Sequence, residues 1–180
     1  MTLTEILPTL RRSLPVPLTV HLWPVHTEAT TTDVTVGGIS LMRLLEVSGA
    51  PAVLTGDLPY SLMGTHRTAG GTDVTVLVFT ITLRIDTQEG KRIAVADCAL
   101  DGFEAHWAES RLIGRASTCR SVEIELLSGE GSASRWPHPT ANLPSDLREG
   151  DVVAVPCTGA VTLHDVRIGP ATAQSEAVAR

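Results

Sequence analysis

The chain has 180 residues, 43% of them hydrophobic and 3% aromatic, and a formal net charge of −6. That length and apolar content suit one globular domain with a core of Val, Leu, Ile and Ala, and they exclude a disordered chain. The negative balance argues against nucleic-acid binding through a broad basic surface, and no apolar run is long enough to span a bilayer.

Residues 1–17 read as an N-terminal segment, with a short helix over Leu3–Ser13 and an extended stretch through Pro15 and Pro17. Arg11 and Arg12 have no long apolar run behind them, which makes a poor signal peptide. Leu18–Val25 alternates and reads as a strand broken at Pro24, and Thr30–Val36 reads as a second strand. Gly37-Gly38 makes a turn. Ser40 caps a helix over Leu41–Val47, with Gly49 as its stop. Pro51–Thr55 is a short apolar strand, and Asp57–Thr72 is a loop of the kind that carries function.

Asp73–Asp86 is the strongest strand in the chain, a long β-branched run. Thr87–Gly90 turns it into a return strand, Lys91–Ala96. Leu112–Ala116 and Ser121–Leu127 are further strands. Ser128–Ser134 is a Gly/Ser loop before Trp136-Pro137-His138-Pro139. Asp151–Cys157 and Ala160–Ile168 are two late strands around the turn at Thr158-Gly159. The expected fold is all-β, a single barrel or sandwich over residues 18–169 with one or two short helices, and a flexible tail over 170–180. Cys98, Cys119 and Cys157 are odd in number and form no CxxC pair. Together with the absence of a signal, they point to a reducing cytoplasm.

Three groups of segments resemble diaminopimelate and ornithine decarboxylases, the fold-type III pyridoxal-phosphate (PLP) enzymes that join a TIM barrel to a β-domain. The first runs from Leu22-Trp23-Pro24 through Gly37-Gly38-Ile39-Ser40-Leu41 to Gly49-Ala50-Pro51. It is similar to that family's lead-in strand, Gly-Gly-Val-Ser-Leu helix start and approach to the barrel. The second, Val74–Asp97, resembles the strand pair that follows the barrel. The third runs from Ile113-Gly114-Arg115 through Cys119-Arg120-Ser121-Val122-Glu123 to Leu147–Val155 and Thr158-Gly159-Ala160. It is similar to the family's Cys-Glu-Ser-Gly-Asp segment and its final strand pair. The resemblance covers about two thirds of the chain.

The departures decide the expectation. The family's lysine segment, phosphate loop and histidine are absent, and Asp57–Thr72 stands where its barrel would be. Lys91 is the single lysine. Arg120 replaces the acidic residue after the catalytic cysteine, Val122 the glycine, Glu123 the aspartate and Val161 the tyrosine. PLP binding requires a Schiff-base lysine, so neither a cofactor nor decarboxylation is expected. What the resemblance implies is a β-domain without its barrel, of the kind found in small polyketide-pathway cyclases.

Such a cyclase would catalyse a cycloaddition on a polyene macrolactone or related polyketide, by holding the chain in its reactive fold and polarising a carbonyl. Its partners are then a lipophilic small-molecule substrate and, because the parent family builds sites between subunits, a second copy in a homodimer. No metal is expected: His21 and His26 are a weak ligand pair.

The candidate catalytic residues are His106 and Tyr60. The candidate substrate-binding residues are Trp23, Met42, Met63, Phe103, Trp107, Cys119, Arg120 and Trp136. Each has a plainer role open to it, as core packing for the apolar ones and as a solvated strand position for Arg120 and Arg115. Cys119 is either a buried small hydrophobe or a nucleophile for a hydrolase or isomerase. His164-Asp165 lacks the elbow that a serine triad needs. The alternative function is a non-catalytic binding or regulatory protein, derived from a decarboxylase, that pairs with another protein.

Overall fold

The computed structural model describes residues 15–58, 73–129 and 137–168. Ten strands run in chain order: β1 (Thr27–Ala29), β2 (Val34–Val36), β3 (Ile39–Ser40), β4 (Ala52–Asp57), β5 (Asp73–Asp86), β6 (Arg92–Ala96), β7 (Arg111–Ile113), β8 (Ser121–Leu127), β9 (Thr140–Pro144) and β10 (Val152–Thr158). Two helices, α1 (Leu41–Ser48) and α2 (Leu163–Val166), and two 3₁₀ turns, Val20–Leu22 and Trp107–Glu109, complete the described elements.

β5 organises the molecule because both of its faces are apolar. Leu77, Phe79 and Ile81 enter one core, while Val76 and Val78 enter the other. β10 repeats the pattern, with Val153, Val155 and Cys157 on the first side and Val152 and Ala154 on the second. A strand covered on both faces reads as a continuous apolar run, which is why these two segments stand out in the sequence.

The main sheet runs β7-β10-β5-β6-β8-β9, with β4 added against the first half of β5. All its pairs are antiparallel except β6 with β8. The sheet curls until β9 lies beside β7, so the barrel is nearly closed and its interior is packed by the first core. The small sheet β1-β2-β3 and α1 cover the second core, around Trp23 and Leu41. The all-β barrel expected from the sequence is what forms.

Local chemistry explains the elements. Ser40 Oγ accepts the Arg43 N–H at 3.0 Å and donates to Asp33 Oδ2 at 2.5 Å. Asp33 Oδ1 also accepts the Met42 N–H at 3.2 Å, so the β1–β2 turn and the α1 start share one carboxylate. α1 ends at Gly49, whose positive φ of 76° suits glycine.

Several expectations need correction. Leu18–Val25 is not a strand: between Pro17 and Pro24 the chain makes the Val20–Leu22 turn, and proline denies it a ladder. Thr30–Val36 is a strand only over its last three residues, because Thr30 closes a turn with Asp33 and β1 pairs back on β2. Ala160–Ile168 is not a strand. Thr75 Oγ1 accepts the Val161 N–H, and Thr162 with Asp165 then forms a capping box that starts α2. β9 was not among the expected strands; it ends at Pro144, which is tolerated because β9 is an edge strand. The Leu3–Ser13 helix, nearly all of the 57–72 loop, most of the Gly/Ser loop and the tail lie outside the described residues.

Candidate functional site

A groove of about 520 Å³ opens where β9 comes back towards β7. Arg111, Leu112 and Ile113 line one side, and Asn142, Leu143 and Pro144 line the other. Pro15, Val16 and Pro17 cross as an outer wall, and Arg115, Ser117 and Cys119 form a further boundary. The volume lies in the usual range for small-molecule sites.

The outer wall is tied down by two charged residues from the segment that leads into β7. Glu109 Oε1 accepts the Thr19 hydroxyl at 2.5 Å, and Oε2 accepts the Thr19 N–H at 3.2 Å and the Trp23 indole N–H at 3.1 Å. Arg111 donates to the Val16 carbonyl at 2.6 Å and also to the Pro17 carbonyl. Its guanidinium lies 5.9 Å from the centre of the Trp23 ring, within cation–π reach. Burial pushes the Glu109 carboxyl pKa up, but the bonds from Thr19 and Trp23 and the nearby Arg111 outweigh it, so the net shift is downward. Burial lowers the Arg111 pKa, partly offset by Glu109. Two polar atoms at this wall, Ser110 Oγ and Arg111 Nε, are buried without a hydrogen-bond partner.

Arg115 is equally engaged. It grips Asp151 with two bonds of 2.6 and 2.7 Å, Asp146 Oδ2 at 3.0 Å and the Asp146 carbonyl at 2.8 Å. Ser117 donates to Asp146 Oδ1 at 2.6 Å and accepts the Cys119 N–H at 3.1 Å. These bonds raise the Arg115 pKa. On Asp146, burial raises the pKa, but Ser117 and Arg115 more than reverse it. The Arg115–Cys119 boundary is therefore a built loop. Each charged side chain at the groove is held by protein groups, with Arg111 Nε left over, so shape, hydroxyls and backbone groups make up most of what meets a ligand.

Of the seven expected site residues that the structure describes, Cys119 alone lines the groove. Trp23 is fully buried in the second core and acts on the site through its bond to Glu109. Met42 packs on the same core. Phe103 and Trp107 pack against the barrel core. His106 Nε2 lies 3.2 Å from Thr158 Oγ1, and His106 is not among the groove-lining residues. Arg120 is exposed, also outside the groove, and gives its carbonyl to the Ser145 N–H. Tyr60, Met63 and Trp136 lie outside the described residues. Asp165 is taken up in capping Thr162. Among the described residues no group of three or more His, Cys, Asp or Glu could hold a metal, and no helix is long and apolar enough to cross a membrane.

Sequence reading missed Glu109, Ser110, Arg111, Leu112 and Asn142. Glu109 and Arg111 did carry a signal, as opposite charges two residues apart just after a tryptophan. Leu112 and Asn142 carried none, because they matter through their backbone. No protein-family model matches the chain, and no curated protein matches it.

Proposed function

We propose that this protein is a cofactor-independent cyclase that binds a lipophilic polyene, of polyketide type, in the groove between β7 and β9. The observation that carries the reading is the groove itself: about 520 Å³, with Val16, Pro17, Ile113, Leu143 and Pro144 among its walls. Its charged residues Glu109, Arg111 and Arg115 are held by protein partners. A cycloaddition suits such a site, because it needs the reacting ends held together rather than a strong acid or base. A hydrogen bond to a conjugated carbonyl lowers the barrier further. Descent from the β-domain of a PLP decarboxylase is part of this reading. It is supported by the quoted motifs, whose Ser40, Gly49 and Gly159 take the capping and turn positions in the fold.

The test is incubation with polyene macrolactones, followed by product analysis against the uncatalysed rate. Acceleration is expected, together with its loss in Ala108→Trp, a substitution of an exposed groove residue. A rate equal to the uncatalysed one overturns the reading. A second reading, a non-catalytic protein that pairs with another chain or with its own copy, is favoured by one observation. Leu83 and Ile85, on the outer face of β5, are 44% and 41% exposed.

A further inference from the structure

A strand inside a closed barrel gives its backbone N–H and C=O groups alternately to two neighbours. Among the described residues, β7 and β9 have one ladder neighbour each at the groove. Ile81 N–H donates to the Asp151 carbonyl, so along β10 residue 151 and its alternates, Val153 among them, direct their backbone bonds to β5. Leu112 stands opposite Val153 in the β7–β10 ladder and therefore turns its own N–H and C=O away from β10, into the groove. Gly114, two residues on, follows the same alternation, and its N–H leaves the ladder for the Thr32 carbonyl at 2.6 Å.

The opposite edge obeys the same rule. Leu126 N–H donates to the Pro139 carbonyl and Ser145 N–H to the Arg120 carbonyl. These set Ile124 with Ala141 and Val122 with Leu143 as the bonded pairs of β8 and β9. Asn142, between them, turns its backbone towards the groove that it lines. Among the described residues neither Leu112 nor Asn142 receives a backbone bond from outside its ladder.

Two strand edges, each offering one donor and one acceptor, thus border a groove whose lining is about equally polar and apolar. Leu112 is half-buried and Asn142 exposed, so a ligand that pairs with these groups replaces the water on them, and one that cannot pair strips that water without return. A carboxylate finds only the buried Arg111 Nε, since the terminal nitrogens of Arg111 and the whole guanidinium of Arg115 already donate to protein oxygens. An ester or ketone satisfies a donor and leaves the carbonyls unmet. A secondary amide carries both an acceptor and a donor, as the next strand of a sheet would.

We infer that the ligand of this groove carries a secondary amide on an extended apolar chain. The amide C=O accepts from the Leu112 N–H, and its N–H, trans to the C=O, donates across the groove to the Asn142 carbonyl. This deepens the proposed function and rests on the groove being its ligand site. The test uses the full chain, ¹⁵N-labelled, with three probes: N-methyldecanamide, N,N-dimethyldecanamide and methyl decanoate. The secondary amide should bind about fivefold tighter than the other two, which lack the donor. It should also shift the Leu112 amide resonance and slow its exchange, and Ala108→Trp should weaken it. Equal affinity for all three probes, each weakened by Ala108→Trp, overturns the amide inference and leaves the groove as the ligand site. No binding by any probe overturns both.

Discussion

Glu109 is where the chemistry of single residues meets the shape of the site. Its carboxylate holds Thr19 and Trp23 and lies near Arg111, which holds the carbonyls of Val16 and Pro17. Its pKa is held below the ordinary value, and so is that of Asp146. A carboxylate depressed in the folded state contributes stability that is present above its unfolded pKa of about 4.3 for Glu and 3.9 for Asp. That contribution is lost as pH falls through the lower folded value. The melting temperature is therefore expected to drop as pH goes from about 5 towards 3, and Glu109→Gln should drop less steeply over that window. Parallel pH profiles for the two proteins would show that Glu109 does not link the strap to acid stability. The thiols behave differently. Burial pushes the Cys157 pKa up to about 12 and raises that of Cys98, so neither is a nucleophile at neutral pH.

At the scale of elements, side chains that bond to the backbone set where strands and helices begin. Ser40 caps α1 and shares Asp33 with the β1–β2 turn. Ser40→Ala removes both contacts, and N-cap losses cost about 1 kcal/mol. Urea unfolding should show a lower midpoint with an unchanged slope. An unchanged midpoint would mean that Asp33 alone holds the junction. α2 shows the same principle from the other direction. A segment with strand-like composition became a helix because Thr162 and Asp165 satisfy each other across its first turn. The polar pattern of that segment was visible, and its β-branched residues outweighed it in a reading by composition. A long β-branched run located β5 to the residue, because a strand covered on both faces is apolar throughout, and β8 also forms over the residues expected for it.

At the scale of the whole molecule, the order of strands leaves one open seam and one apolar outer face. On that face Leu83 pairs with Val95 and Ile85 with Ile93 in the β5–β6 ladder. If a second copy covers it, the protein sediments as a dimer at micromolar concentration, and Leu83→Lys with Ile85→Lys gives a monomer that stays folded. A wild-type monomer would remove the pairing reading, and a dimer insensitive to both substitutions would place the interface elsewhere.

The sequence by itself determined the β architecture, the Asp73–Asp86 strand and the Ser40 cap. These depend on local composition and turn chemistry, both of which can be read along the chain. Only the tertiary structure decided where the groove lies. Glu109 and Thr19 are 90 residues apart in sequence, and the strap they secure has no local signature. Leu112 and Asn142 face the groove because β7 and β9 each lack a second neighbour among the described residues. Backbone polarity is the same for every residue, so an unpaired edge is written in the strand order and not in the side chains.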